Sequence, residues 1–165
     1  MTKKPLDLAH YAGTLLAQKK LTLATVESCT GGALAKIVTE IPGASEWFDC
    51  GFVTYSNESK TKLVGVPEEL IEQHGAVSQK VALSMAKGAL DVTRADIAIS
   101  TTGIAGPDGG TLDKPVGTVC FGFATRSHDF STDKRRFDGN RSDVREQSVI
   151  YSLQCLCHYL ETGHF

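Results

Sequence analysis

The chain has 165 residues, 41% hydrophobic and 22% charged, with a formal charge of −2. That length fits one domain, 1–165, able to bury roughly two-thirds of the surface its unfolded form exposes, so no disulfide scaffold is required. The near-neutral charge gives no sign of a basic nucleic-acid face, and no apolar run approaches the ~20 residues of a membrane span.

The basic start Met1-Thr2-Lys3-Lys4-Pro5 runs into Leu6-Asp7-Leu8-Ala9-His10-Tyr11, which is amphipathic and lacks the core of a signal peptide. Leu8, Tyr11, Ala12, Leu15 and Leu16 recur at helical spacing and predict an opening helix. After the Lys19-Lys20 turn, residues 21–26 are short, apolar and β-branched, a strand pattern. Glu27-Ser28-Cys29-Thr30-Gly31-Gly32 follows, and then a helix over 33–39 with Ala33, Leu34, Ile37 and Val38 at its spacing. Ile41-Pro42-Gly43-Ala44 is a loop, Trp47-Phe48 leads into a strand over 51–55, and a polar run over 56–60 comes after it.

Pro67 followed by Glu68 and Glu69 marks a helix start that Gly75 closes. Ser78 caps another helix, with Val81, Ala82, Met85 and Ala89 on one face. Residues 96–100 read as a buried strand opening onto a glycine-rich loop over 101–110. Residues 116–125 and 131–137 form a hairpin around the turn Arg126-Ser127-His128-Asp129. Asp143 with Glu146 fits a capping box for a last helix whose core stripe is Val149, Leu153, Leu156 and Leu160. Helices interleaved with strands predict a single three-layer α/β/α domain around a mixed, mostly parallel sheet. The five cysteines (29, 50, 120, 155, 157) are odd in number and form no CxxC pair, which points to reduced thiols in a cytoplasmic protein and gives no structural zinc pattern.

The chemistry concentrates where loops follow strands, because ligands of layered α/β domains bind at the strand carboxyl ends. Ser28 stands at a strand-to-helix turn, where unpaired N–H groups can stabilise an oxygen acquiring negative charge. Gly31 and Gly32 allow close backbone approach, and N-capping by Ser28 or Thr30 is the plain structural alternative. A serine hydroxyl needs a base. His10 and His158 fall on helices, His128 in the hairpin turn and His164 at the C-terminus, which leaves His74 open, near a helix end. Lys60, just past a strand end, offers another route: a desolvated lysine loses its proton more readily and can serve a Ser-Lys pair. Tyr55 can hold or pass the hydroxyl proton. Cys29 is the competing nucleophile, since a thiol at a helix start can have a lowered pKa. The loop over 103–110 can aim N–H groups at an anion, although it is neither a Walker loop nor a dinucleotide fingerprint. Arg145, in the first turn of the last helix, and Arg141 just before it can grip phosphate.

These segments together resemble one family. Glu27-Ser-Cys-Thr-Gly-Gly32, Gly51-Phe-Val-Thr-Tyr-Ser-Asn57 with Lys60, Gly75-Ala-Val-Ser78, Gly103-Ile-Ala-Gly-Pro-Asp-Gly-Gly110, Lys114-Pro-Val-Gly-Thr118 and the stretch over 141–145 are similar, in the same order, to the CinA C-terminal domain family. The likeness runs from about residue 8 to about residue 160. It implies deamidation of nicotinamide mononucleotide to nicotinate mononucleotide and ammonia, as part of pyridine nucleotide salvage. It implies Ser28 as nucleophile, Lys60 as base and Tyr55 as an auxiliary to proton transfer. On that reading the substrate contacts are Cys29, Thr30, Gly31, Gly32, Gly103, Ala105, Gly106 and Arg145, with no metal or other cofactor. The resemblance also implies a homodimer, without nucleic-acid or membrane partners, and the stand-alone form of a domain that many relatives carry behind another. A catalytically weak nucleotide-binding or regulatory protein is the competing function.

Overall fold

The computed structural model describes residues 4–165, so Met1, Thr2 and Lys3 of the basic start lie outside it. The chain runs α1 (Pro5–Lys19), β1 (Leu23–Glu27), α2 (Ala33–Thr39), a 3-10 turn (Ala44–Glu46), β2 (Phe48–Val53), α3 (Asn57–Val64), α4 (Glu68–His74), α5 (Gln79–Val92), β3 (Ile97–Gly103), β4 (Thr118–Thr125), β5 (Phe130–Arg136) and α6 (Arg141–Thr162). One five-stranded sheet has the order β2-β1-β3-β4-β5. β1 pairs in parallel with β2 and with β3, and the β4–β5 hairpin continues the sheet antiparallel.

Side-chain alternation along the strands divides the core in two. Leu23, Ile97, Ile99, Val119, Phe121 and Phe123 face α1, α2 and α6, where Leu8, Leu16, Leu34, Leu153 and Leu156 meet them. Ala24, Val26, Ala98 and Ala124 face the other way, onto Val81, Met85, Ala86 and Ala89 of α5 and Val64 and Ile71 beyond it. The domain is therefore a three-layer α/β/α sandwich around a mixed sheet. The first face is filled by large side chains, each worth ~1.5–3 kcal/mol when fully buried. The second holds small ones, so helices there approach closely: a Cβ added at Gly88 of α5 would stand 1.7 Å from the Val64 carbonyl oxygen of α3.

Three local expectations change. The polar run over 56–60 is the first turn of a helix: Ser56 is the N-cap of α3, its Oγ accepting from the Ser59 N–H, so Lys60 lies on a helix and not in a loop. Its stripe is Lys60 and Val64, and a lysine in the apolar place hides the period. The strand expected over 51–55 is Phe48–Val53, which puts Thr54 and Tyr55 in the connection to α3. The last helix starts earlier than expected, because Asn140 and Asp143 form the capping box reciprocally and Asp143 is its third residue rather than its cap. Among the described residues, no helix is long and apolar enough to cross a membrane.

Candidate active site

Three parallel strands end on one edge of the sheet, and the chain leaving each of them brings a part of the site. β1 delivers Ser28, β2 leads through Thr54 and Tyr55 into α3, and β3 delivers Thr102 and Gly103. Main-chain bonds lock these ends together: the Ser28 N–H donates to the Thr101 carbonyl at 2.9 Å, and the Thr54 N–H donates to the Glu27 carbonyl at 2.8 Å.

Lys60 is 1% exposed. Its Nζ lies 3.1 Å from Ser28 Oγ, 2.8 Å from the Thr54 carbonyl and 3.4 Å from the Tyr55 carbonyl. An ammonium would donate to all three oxygens. A neutral amine has two N–H groups and one lone pair, so the two carbonyls can hold the N–H groups while the lone pair faces the serine hydroxyl. Among the described residues no carboxylate forms an ion pair with Lys60. Burial pushes its ammonium below the ordinary lysine value, and a weaker interaction with Cys29 opposes this.

Cys29 is buried, and burial pushes its thiol up to about 12, with the Glu27 carboxylate adding to the effect. The lowered thiol that would make Cys29 the nucleophile is thus replaced by its opposite. Burial is the chief cause, and N–H groups around the thiol are already engaged. Gly32, the residue before α2, offers no side-chain cap, and the carboxylate of Glu27 instead accepts from the Leu34 N–H at 2.8 Å and the Ala35 N–H at 3.0 Å. The Gly31 N–H turns back onto the Ser28 carbonyl and the Ala33 N–H onto the Thr30 carbonyl. Gly31 and Gly32 both have positive φ, at 61° and 96°, the left-handed conformation that glycine adopts at low cost.

A cavity of about 230 Å³ opens onto Ser28 and Lys60, lined further by Cys29, Tyr55, Asn57, Ala76, Val77, Thr102, Gly103, Ala105 and Arg141. Of the residues singled out in the sequence, Ser28, Lys60, Tyr55, Cys29, Gly103, Ala105 and Arg141 come together there. The other expected substrate contacts stand behind the wall. Thr30 is buried with its hydroxyl on that of Thr101, Gly31 and Gly32 shape the turn, and Gly106 offers its carbonyl to Arg141. Arg145 is directed to the outer side of the turn, donating to the carbonyls of Cys29 and Thr30, and it borders a separate hollow with Pro5 and Lys36. Arg141 is the arginine on the cavity, bonded to the Gly106 carbonyl at 2.8 Å and to the Tyr55 hydroxyl at 3.1 Å. Tyr55 is 60% exposed, and it reaches Lys60 through its carbonyl while its hydroxyl pairs with Arg141.

Sequence reasoning gave no role to Asn57, Ala76, Val77 or Thr102. Thr102 Oγ1 donates to the Ala76 carbonyl and so ties the α4–α5 connection to β3 across the cavity. The only signal for that connection was its place in the segment Gly75-Ala-Val-Ser78. Glu27 was also passed over, although an acid at the end of an apolar strand, just before an uncapped helix, is a signal of its own.

Fold and site define an α/β domain that presents a serine hydroxyl to a buried lysine at the carboxyl edge of parallel strands. The family model described as CinA C-terminal domain matches residues 6–160, and the chain belongs to that family. It is 52% identical over 151 residues to the nicotinamide-nucleotide amidohydrolase PncC of Escherichia coli (strain K12), covering 92% of each chain. It is 48% identical over 149 residues to the protein of the same name from Pseudomonas putida, covering 90% of this chain and 92% of that one. Among solved structures, the competence/damage inducible protein CihA from Agrobacterium tumefaciens superposes with a TM-score of 0.92 at 39% identity, covering 98% of this chain and 99% of that one.

Proposed function

We propose that this protein is an amidohydrolase that converts nicotinamide mononucleotide and water to nicotinate mononucleotide and ammonia through an acyl-enzyme on Ser28. The observation that carries the reading is the 3.1 Å contact between Ser28 Oγ and the buried Lys60 Nζ at the cavity. The relatives named nicotinamide-nucleotide amidohydrolase, at 52% and 48% identity, support the choice of substrate.

In this mechanism Ser28 Oγ attacks the carboxamide carbon while its proton passes to Lys60 Nζ. The oxyanion formed is assigned to the start of the turn after Ser28, where Cys29 lines the cavity. Collapse breaks the C–N bond, Lys60 returns the proton to the departing nitrogen, and ammonia leaves an ester on Ser28. Water then attacks that ester with Lys60 again as base. Nicotinate mononucleotide departs and the proton returns to Ser28. Arg141, exposed to the cavity and anchored at Gly106 and Tyr55, is the better placed of the two arginines for the nucleotide phosphate. Arg145 instead supports the turn from behind. Tyr55 orients Arg141 and, through its carbonyl, Lys60.

The homodimer and the cytoplasmic location belong to the same proposal. Five cysteines without a disulfide accord with a reducing compartment. Light scattering on the purified protein tests the dimer.

The test of the activity is release of ammonia and nicotinate mononucleotide from nicotinamide mononucleotide, run beside Ser28→Ala. Turnover lost in the variant supports the reading. A wild type that binds the nucleotide without turning it over returns the binding-protein alternative.

A further inference from the structure

Glu27 is 0% exposed, yet it carries a carboxylate one residue before the proposed nucleophile. Both of its oxygens are engaged, by the N–H groups seven and eight residues ahead, at 2.8 and 3.0 Å. This bridge spans the whole turn over 28–32. The main chain of the same residue reaches the other way: its carbonyl accepts from the Thr54 N–H, and the Thr54 carbonyl accepts from Lys60 Nζ. One residue thus connects the start of α2, the serine turn and the lysine.

We propose that Glu27 is a positioning residue: its carboxylate fixes the turn that presents Ser28 to Lys60. The inference rests on the Ser-Lys reading above. Two glycines with positive φ make the turn pliable, and Gly32 brings no cap, so among the described residues the Glu27 carboxylate supplies the side-chain hydrogen bonds that tie the start of α2 back across the turn. A carboxylate suits the task because it accepts on both oxygens. Glutamine offers one acceptor and would turn an N–H₂ donor toward a backbone N–H. Aspartate is one methylene short.

The experiment compares wild type, Glu27→Gln and Glu27→Asp by two readouts: kcat and KM on nicotinamide mononucleotide, and the rate of labelling of Ser28 by a fluorophosphonate, located by peptide mass. In Glu27→Gln, kcat and Ser28 labelling fall together by about 10- to 100-fold, the cost of roughly ångström-scale misplacement, while KM holds within about threefold. Glu27→Asp keeps the charge and loses the reach, so Ser28 labelling falls there too, and it decides the matter if Glu27→Gln does not fold. Wild-type labelling of Ser28 in either folded variant overturns the proposal. Labelling needs no turnover, so a wild type inactive on the nucleotide defeats the proposed substrate without deciding the role of Glu27.

Discussion

A lysine with 1% of its surface exposed and, among the described residues, no carboxylate in an ion pair with it is an expensive arrangement, and its proton is the cheapest thing to give up. The lowered ammonium therefore serves the proposed chemistry directly: the neutral amine is the base. As pH rises through the value set by Lys60, the base fraction grows and kcat/KM climbs. The midpoint of that limb lies below the ordinary 10.5, and a pH–rate profile checks it. Lys60→Ala lowers kcat by about 10²–10⁴-fold, and Lys60→Arg fares no better, because a guanidinium keeps the charge and cannot accept the proton. Steady-state rates on the two variants test this. Recovery of activity in Lys60→Arg would mean that charge, not basicity, is what the position supplies. Cys29→Ala keeps turnover within a few-fold, since burial holds that thiol protonated.

At the scale of elements, the placement of Lys60 depends on how closely α3 lies on α5. The added Cβ at Gly88 would stand 1.7 Å from the Val64 carbonyl, a contact that backbone cannot tolerate, so Gly88→Ala must push the two helices apart. The expected result is a loss of about 1–3 kcal/mol in stability, with reduced activity as the lysine withdraws from the serine. Urea unfolding and the deamidation assay read the two effects. Asn140→Ala removes one side of the capping box of α6 and costs about 1 kcal/mol by the same unfolding assay. Most elements were legible in the sequence because apolar residues repeat at 3.6 or cluster as β-branched runs. α3 was not, because its inward positions are Lys60 and Val64 and its first turn is polar. The choice between Arg141 and Arg145 was equally hidden: four residues separate them on one helix, and only the true cap at Asn140 fixes which one faces the cavity.

For the whole molecule, the decisive fact is strand order. Sequence periodicity predicted the layers, and the convergence of three loops followed from the expectation that they leave parallel strands. It did not give β1 between β2 and β3, the adjacency that carries the hydrogen bonds from Glu27 to Thr54 and from Ser28 to Thr101. Those are long-range pairings without a local signature, and the resemblance to a family stood in for them. A buried lysine also leaves its mark on global stability. Its folded value is lowered, so between that value and 10.5 the unfolded chain binds a proton that the folded chain does not, and stability rises with pH through that window. Wild type therefore gains on Lys60→Met as pH rises toward 10.5 in urea unfolding, and parallel curves would contradict the buried, deprotonating lysine.

The central claim is an ester on Ser28, and acid-quenched wild-type protein caught during turnover of nicotinamide mononucleotide tests it most directly. Peptide mass spectrometry should find the nicotinoyl-nucleotide adduct on Ser28, absent from Ser28→Ala. Turnover with the adduct on Cys29, or with no adduct while Ser28→Ala remains active, would contradict the account.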